Sequence, residues 1–142
     1  MKNLFHPFAA LFATLILALG PARADDAAAA ARSIIESQIN AFLSDDMATA
    51  YSFAAPSIKQ IYPDQTRFFD MVKRGYQPVY RPGNFAFGRS KSAANGAGMV
   101  QEVLISGPDG QDWTALYSLE RQPDGSFKIN GVQMIRAAAP QT

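Results

Sequence analysis

The side chains able to do chemistry are few, and what is missing narrows the field first. The chain has no cysteine and a single histidine, His6. Without thiols there is no disulfide, no thiolate nucleophile, no iron–sulfur cluster and no cysteine zinc site. Carboxylates and the tyrosines Tyr51, Tyr76, Tyr80 and Tyr117 are left for proton transfer. A desolvated carboxylate can move a proton while a tyrosine hydroxyl donates to a developing oxyanion, so a cofactor-free acid–base enzyme is one reading. Each carboxylate also has a plainer role. Asp45 and Asp46 suit a helix cap, Asp70 lies four residues before Arg74 as a solvated partner, and Asp109 and Asp124 sit in turns. Asp112 flanks Trp113 at a rim, while Glu102 and Glu120 alternate with apolar residues and face outward. No aspartate lies among apolar neighbours, which favours a non-catalytic role. No calcium-loop spacing, phosphate-cradling glycine loop or serine-hydrolase motif occurs, so neither a metal nor a cofactor is expected.

Two other sets of residues suit binding. Tyr51, Phe53, Phe68, Met71, Tyr76, Tyr80, Trp113, Tyr117 and Met134 are candidates to line an internal hollow or simply to fill it. Charge is uneven along the chain. Residues 25–66 carry a net −4, residues 67–91 a net +5 and residues 92–142 a net −2. Arg67, Lys73, Arg74 and Arg81, with Arg89 and Lys91, therefore read as an anion or partner patch, or as partners of the chain's own acidic helices. With 13 basic against 12 acidic residues overall, nothing argues for nucleic-acid binding.

The elements that must position these residues begin after an address. Lys2 is followed by the apolar run Phe8–Leu19, then Gly20, Pro21 and the small-x-small sequence Ala22-Arg23-Ala24. This is the pattern of a secretory signal cleaved after Ala24. Twelve residues rise only about 18 Å as a helix, short of a bilayer core of roughly 30 Å, so no stable membrane insertion is expected after cleavage. The expected organisation is thus a signal peptide over residues 1–24 and one domain over residues 25–142, periplasmic or secreted. Of the 142 residues, 48% are hydrophobic, enough for a core in a domain of this size.

Helices come first. The spacing of Ile35, Ile39, Phe42 and Leu43 predicts an amphipathic helix over Ala27–Leu43, with Glu36, Gln38 and Asn40 facing away. A second helix is expected over Met47–Phe53, a short helical turn from Pro56 to Tyr62, and a third helix over Gln65–Arg74 capped by Asp64, with Phe68, Met71 and Val72 on one face. Tyr76–Tyr80, bounded by prolines, reads as an extended edge or loop. The period then changes to two. Phe85–Lys91, Met99–Ser106, Asp112–Gln122 and Phe127–Arg136 read as strands, and Asp109-Gly110 and Asp124-Gly125 as tight hairpin turns. Residues 90–98 read as a flexible hairpin tip. Trp113, Ala115, Tyr117 and Leu119 share a face. Val132 and Met134 fall out of phase with Phe127 and Ile129 unless a bulge at Gly131 restores them. Fold class is α+β: three N-terminal helices on a curved antiparallel sheet of four to five strands, with a conical hollow between the layers.

Asp45-Asp46, Ala50-Tyr51, Phe53-Ala54, Pro56, Phe68, Met71-Val72, Tyr76, Pro78–Pro82, Tyr117–Leu119 and Arg121–Ser126 resemble an exported bacterial family catalogued only as a domain of unknown function. The closing stretch, residues 124–129, also resembles the last hairpin of the nuclear transport factor 2-like superfamily. That resemblance implies a cystatin-like cone, in many members a homodimer through its sheet, and no particular activity. The expected function is non-catalytic binding of a small amphipathic ligand or a protein partner. The alternatives are the carboxylate–tyrosine enzyme and a dimerisation module with a filled core.

Overall fold

The structure, a computed structural model, describes residues 24–137. The expected signal segment, apart from Ala24, and the last five residues lie outside it. Helix α1 spans Ala24–Leu43. Ala27, Ala28 and Ala31 are buried along its first half, where side chains this small let the helix sit close to the sheet. Ile35, Ile39 and Phe42 continue the stripe, but Leu43 is 42% exposed. The stripe crosses β1, β2 and β4, so α1 is the main lid on the sheet.

Where α1 ends, Asp45 takes the left-handed conformation at φ 53° and the Asp46 N–H donates to Ala41 O at 2.8 Å. That is the helix-ending geometry in which glycine is usual, here occupied by an aspartate. Helix α2 (Met47–Ser52) starts at Asp46, whose carboxylate accepts from the Thr49 N–H at 3.2 Å. Helix α3 (Pro56–Ile61) has no buried residue. The chain entering it is nevertheless fixed, because Ala55 N–H donates to Ile129 O and Ile129 N–H to Phe53 O, both at 2.8 Å. Helix α4 (Gln65–Gly75) is capped by Asp64, which accepts from the Arg67 N–H at 2.8 Å. It buries Phe68, Phe69 and Val72.

The extended segment expected at Tyr76–Tyr80 is instead a helical turn, α5 (Gln77–Tyr80). Pro78 stands in its first turn, where the missing N–H has no intrahelical partner to lose, and Tyr76 O accepts from both Val79 and Tyr80. This segment therefore adds no fifth strand, and among the described residues α5 joins the three expected helices and the expected turn at α3 in the helical layer.

The sheet is an antiparallel meander in the order β1-β2-β3-β4, with β1 Asn84–Ser92, β2 Gly98–Ser106, β3 Asp112–Arg121 and β4 Phe127–Arg136. Its strands β1 and β2 run further into the expected tip than the composition implied, leaving a short 3-10 turn at Ala94–Gly96. Gly110 and Gly125, at φ 81° and 86°, supply the left-handed residue of each tight turn. One sheet face is buried: Met99, Val103, Ile105, Ala115, Tyr117, Leu119, Phe127 and Ile129 point at the helices. On the other face Val100, Leu104 and Ile135 are exposed.

Two bulges shape the sheet. In β4, Ser118 pairs with Gly131 and Leu119 with Ile129, so Asn130 is the extra residue. The insertion returns Val132 and Met134 to the face of Phe127 and Ile129, opposite Tyr117 and Ala115. In β1 the register shifts between Phe87 and Ser90. Gln101, fully buried, fills the kink: its Nε2 donates to Glu102 O at 2.8 Å and to Gly88 O and Arg89 O at 3.3 Å, and its Oε1 accepts from the Ser90 hydroxyl. A Cβ on Gly88 would stand 2.8 Å from Glu102 Oε2, so glycine lets the strands close there. Helices on one face of an open four-stranded sheet give the expected α+β layout, consistent with a cone.

Candidate functional site

Between the layers lies a half-open cavity of about 130 Å³. Its walls come from every layer of the fold. Helix α1 supplies Gln38 and Phe42, α3 and its exit supply Ile58 and Tyr62, and α4 supplies Phe68, Met71 and Val72. Tyr76 and Val79 close one side, while Ile129, Gly131 and Val132 come from the bulged stretch of β4. The Asn130 bulge is thus what turns Val132 inward and leaves side-chain-free Gly131 at the wall.

The wall on the α1 side is braced from behind. Phe42 stands 5.7 Å from Phe69 and 6.2 Å from Phe68 between ring centroids, with Tyr80 edge-on at 6.4 Å. The Tyr80 hydroxyl donates to Asp45 Oδ1 at 2.5 Å, and Arg81 Nη2 donates to the same oxygen at 2.8 Å. Arg81 also donates to Phe42 O and stacks on the Tyr80 ring at 4.0 Å. These bonds, from Tyr80 first and Arg81 second, hold the Asp45 carboxyl below the usual carboxylate range, and donation to Asp45 pushes the Tyr80 phenol up. The left-handed Asp45 therefore ties the end of α1 to the end of α5.

The aromatic candidates divide among several environments. Phe68, Met71 and Tyr76 line the cavity. Tyr51 stands behind the wall, 5.5 Å from Phe68, with its hydroxyl donating to Tyr62 O at 2.7 Å. Phe53 packs half-buried against the core, and Tyr80 belongs to the brace. Trp113 lines a separate open groove over β1–β3, with Phe85 and Ile105. Its indole N–H is sealed from solvent without a partner, and so is the Tyr117 hydroxyl. Tyr117 is fully buried in the core, where burial pushes its phenol far above the usual range.

The basic candidates stand in different surroundings. Arg67 pairs with Asp64 at 3.4 Å and Arg81 with Asp45 at 2.8 Å. Lys73 lies over the Phe69 and Tyr80 rings at 5.1 and 5.6 Å, while Arg74 is exposed. Arg89 meets Glu102 at 3.3 Å, and its backbone N–H and guanidinium hold that carboxyl low. Lys59 sits over the Tyr51 ring at 5.0 Å, where desolvation first and Lys128 second push its ammonium down.

No carboxylate lines the cavity among the described residues, and no group of three or more metal-ligating side chains is found among them. Among those residues no helix is long and apolar enough to cross a membrane. The residue that sequence patterning misjudged is Gln38. It was expected on the solvent side but is 3% exposed and faces the cavity, with Nε2 donating to Ala50 O at 3.1 Å. The signal was in the spacing: Gln38 lies three after Ile35 and four before Phe42, within their stripe.

Comparison with known proteins yields one match. Residues 24–142 match the family model described as Domain of unknown function (DUF4864). Neither a curated protein nor a solved structure matches the chain.

Proposed function

The chain belongs to the DUF4864 family, a domain of unknown function, and we propose that it is a non-catalytic binding protein for a small, largely apolar molecule held between helices and sheet. The observation that carries this reading is the half-open cavity of about 130 Å³, walled by apolar and aromatic side chains with one buried amide. An apolar cavity of roughly 150 Å³ is large enough to hold benzene. A filled core would have no need of such a space, since core packing leaves few voids larger than a water. The carboxylate–tyrosine enzyme reading finds less support, because it needs a carboxylate near the substrate and, among the described residues, each carboxylate with a shifted pKa is shifted down and lies outside the cavity.

Ethylbenzene is the first probe. Titration into 13C-labelled protein is expected to shift the methyl resonances of Ile129 and Val132, while Ile105 and Leu104 stay still. Native mass spectrometry of gently purified protein adds any molecule retained from the source. Unmoved cavity methyls and a bare mass together would end the binding reading.

Export belongs to the same proposal and rests on residues 1–24 alone. Residue sequencing of the protein recovered from an exported fraction is expected to begin at Asp25, and recovery of intact Met1 from the cytoplasm would contradict it. A second reading, pairing of two copies through the open sheet face, is favoured by the exposed Val100, Leu104 and Ile135. Sedimentation of a Leu104→Lys, Ile135→Lys variant as a monomer beside a dimeric parent would support it.

A further inference from the structure

We propose that the cavity selects a neutral molecule bearing an O–H or N–H donor and that Gln38 is the residue that reads it, an inference that rests on the binding reading above. Gln38 is 3% exposed, and its Nε2 donates to Ala50 O at 3.1 Å. A carbonyl oxygen can only accept, so the amide must present its NH2 to Ala50, and this leaves Oε1 on the other arm. No described residue donates to that oxygen. Among the described residues the side-chain atoms that are both sealed and unpartnered are Trp113 Nε1 and Tyr117 Oη, so Gln38 Oε1, without a donor among those residues, is not sealed. For a side chain this buried that lines the cavity, the cavity is the space it opens onto.

The chemistry of the occupant follows from what the walls supply. An amide oxygen that has given up its water needs a donor, so the matching group carries a hydrogen on oxygen or nitrogen. Among the described residues no charged side chain lines the cavity, so an ionised group would enter without a counter-charge and lose its hydration. Apart from the phenols Tyr62 and Tyr76, the remaining walls are apolar and suit a hydrocarbon body. Together these describe a small neutral alcohol, phenol or amide whose donor meets Gln38 and whose body lies against Phe68, Met71 and Val132.

Three probes of equal size separate the possibilities: benzyl alcohol donates, anisole accepts only, and ethylbenzene does neither. Dissociation constants are measured for the wild type and for Gln38→Met, which keeps the volume and removes the amide. The ratio of the benzyl alcohol constant to the ethylbenzene constant is expected to rise about tenfold in the variant, as for loss of one neutral hydrogen bond. Equal changes for both ligands would overturn the role of Gln38. Gln38→Met also loses the bond to Ala50, so the wild type provides a second readout that needs no variant. The Gln38 side-chain carbonyl carbon is expected to move downfield with benzyl alcohol and to stay in place with anisole. Equal movement would show that occupancy alone moves it and would overturn the proposal. If neither ethylbenzene nor benzyl alcohol binds the wild type, the binding reading falls, and this proposal with it; benzyl alcohol binding no tighter than ethylbenzene would overturn the proposal alone.

Discussion

Replacing Tyr117 by phenylalanine is expected to stabilise the protein, against the usual direction of a core substitution. The Tyr117 side chain is 0% exposed and its hydroxyl has no partner, so folding strips it of water and returns nothing. A buried polar group in that position costs about 1–3 kcal/mol. Phenylalanine keeps the ring and leaves a gap of one oxygen, whose cavity cost is only about 0.3 kcal/mol at roughly 24 cal/mol per Å³. The net gain is therefore about 0.7–2.7 kcal/mol. For a domain of about 115 residues the unfolding entropy is about 0.24 kcal/mol/K, so Tm rises by about 3–11 °C. Circular dichroism melts and urea titrations at pH 7 measure this. Alkali gives an independent arm. Burial raises the folded phenol above its ordinary value of about 10, so the folded form stays protonated while the unfolded form ionises. Its contribution is intact below pH 10 and is lost as pH rises beyond it, toward the folded value. The stability difference between variant and wild type should therefore widen above pH 10. A variant that melts lower than the wild type would refute the reasoning, because it would mean that the hydroxyl has a bound partner whose loss is felt.

Asp45→Asn keeps a residue type that tolerates the left-handed backbone but removes the charge that accepts from Tyr80 and Arg81. Because the folded carboxyl is held low, its contribution is present above about pH 3.9 and lost as pH falls through the lower folded value. The variant should have a lower urea midpoint than the wild type at pH 7 and the same midpoint in strong acid; an unchanged gap across that range would exclude the brace as its origin. Gln101→Met preserves volume in the β1 kink but strands the carbonyls of Gly88, Arg89 and Glu102, at an expected cost of about 2–4 kcal/mol. Urea unfolding measures the loss, and faster amide exchange confined to Phe87–Ser90 locates it.

Much of the sheet is legible in the sequence because its physics is local. Alternation put Trp113, Ala115, Tyr117 and Leu119 on one face, and the Asp-Gly pairs marked the two tight turns. The phase break in the last strand calls for a bulge, expected at Gly131, and the extra residue is its neighbour Asn130. The prolines in and after Tyr76–Tyr80 suggest an edge or loop, but Pro78 falls in the first turn of a helix, the one place in a helix that accepts it. Gln38 was assigned to solvent on polarity when its spacing set it among Ile35 and Phe42. The brace was beyond local reasoning altogether. Tyr80 and Arg81 meet Asp45 across 35 and 36 residues, and no periodicity reports such a meeting. The cavity was unreadable as a list for the same reason, since its walls converge from α1, α3, α4 and β4.

The hydrogen bonds joining Phe53 and Ala55 to Ile129 also bear on what happens between molecules. The outer rim of a sheet offers unpaired backbone groups that can recruit another chain and seed aggregation. On β4 that rim is capped around Ile129 by the segment leading into α3. On β1 it is interrupted by the Gly88–Arg89 kink and carries exposed Arg89 and Lys91. Both ends of the meander are thus poor templates for strand-by-strand growth, and a crowded solution of this protein is protected at its edges by the same contacts that shape its interior.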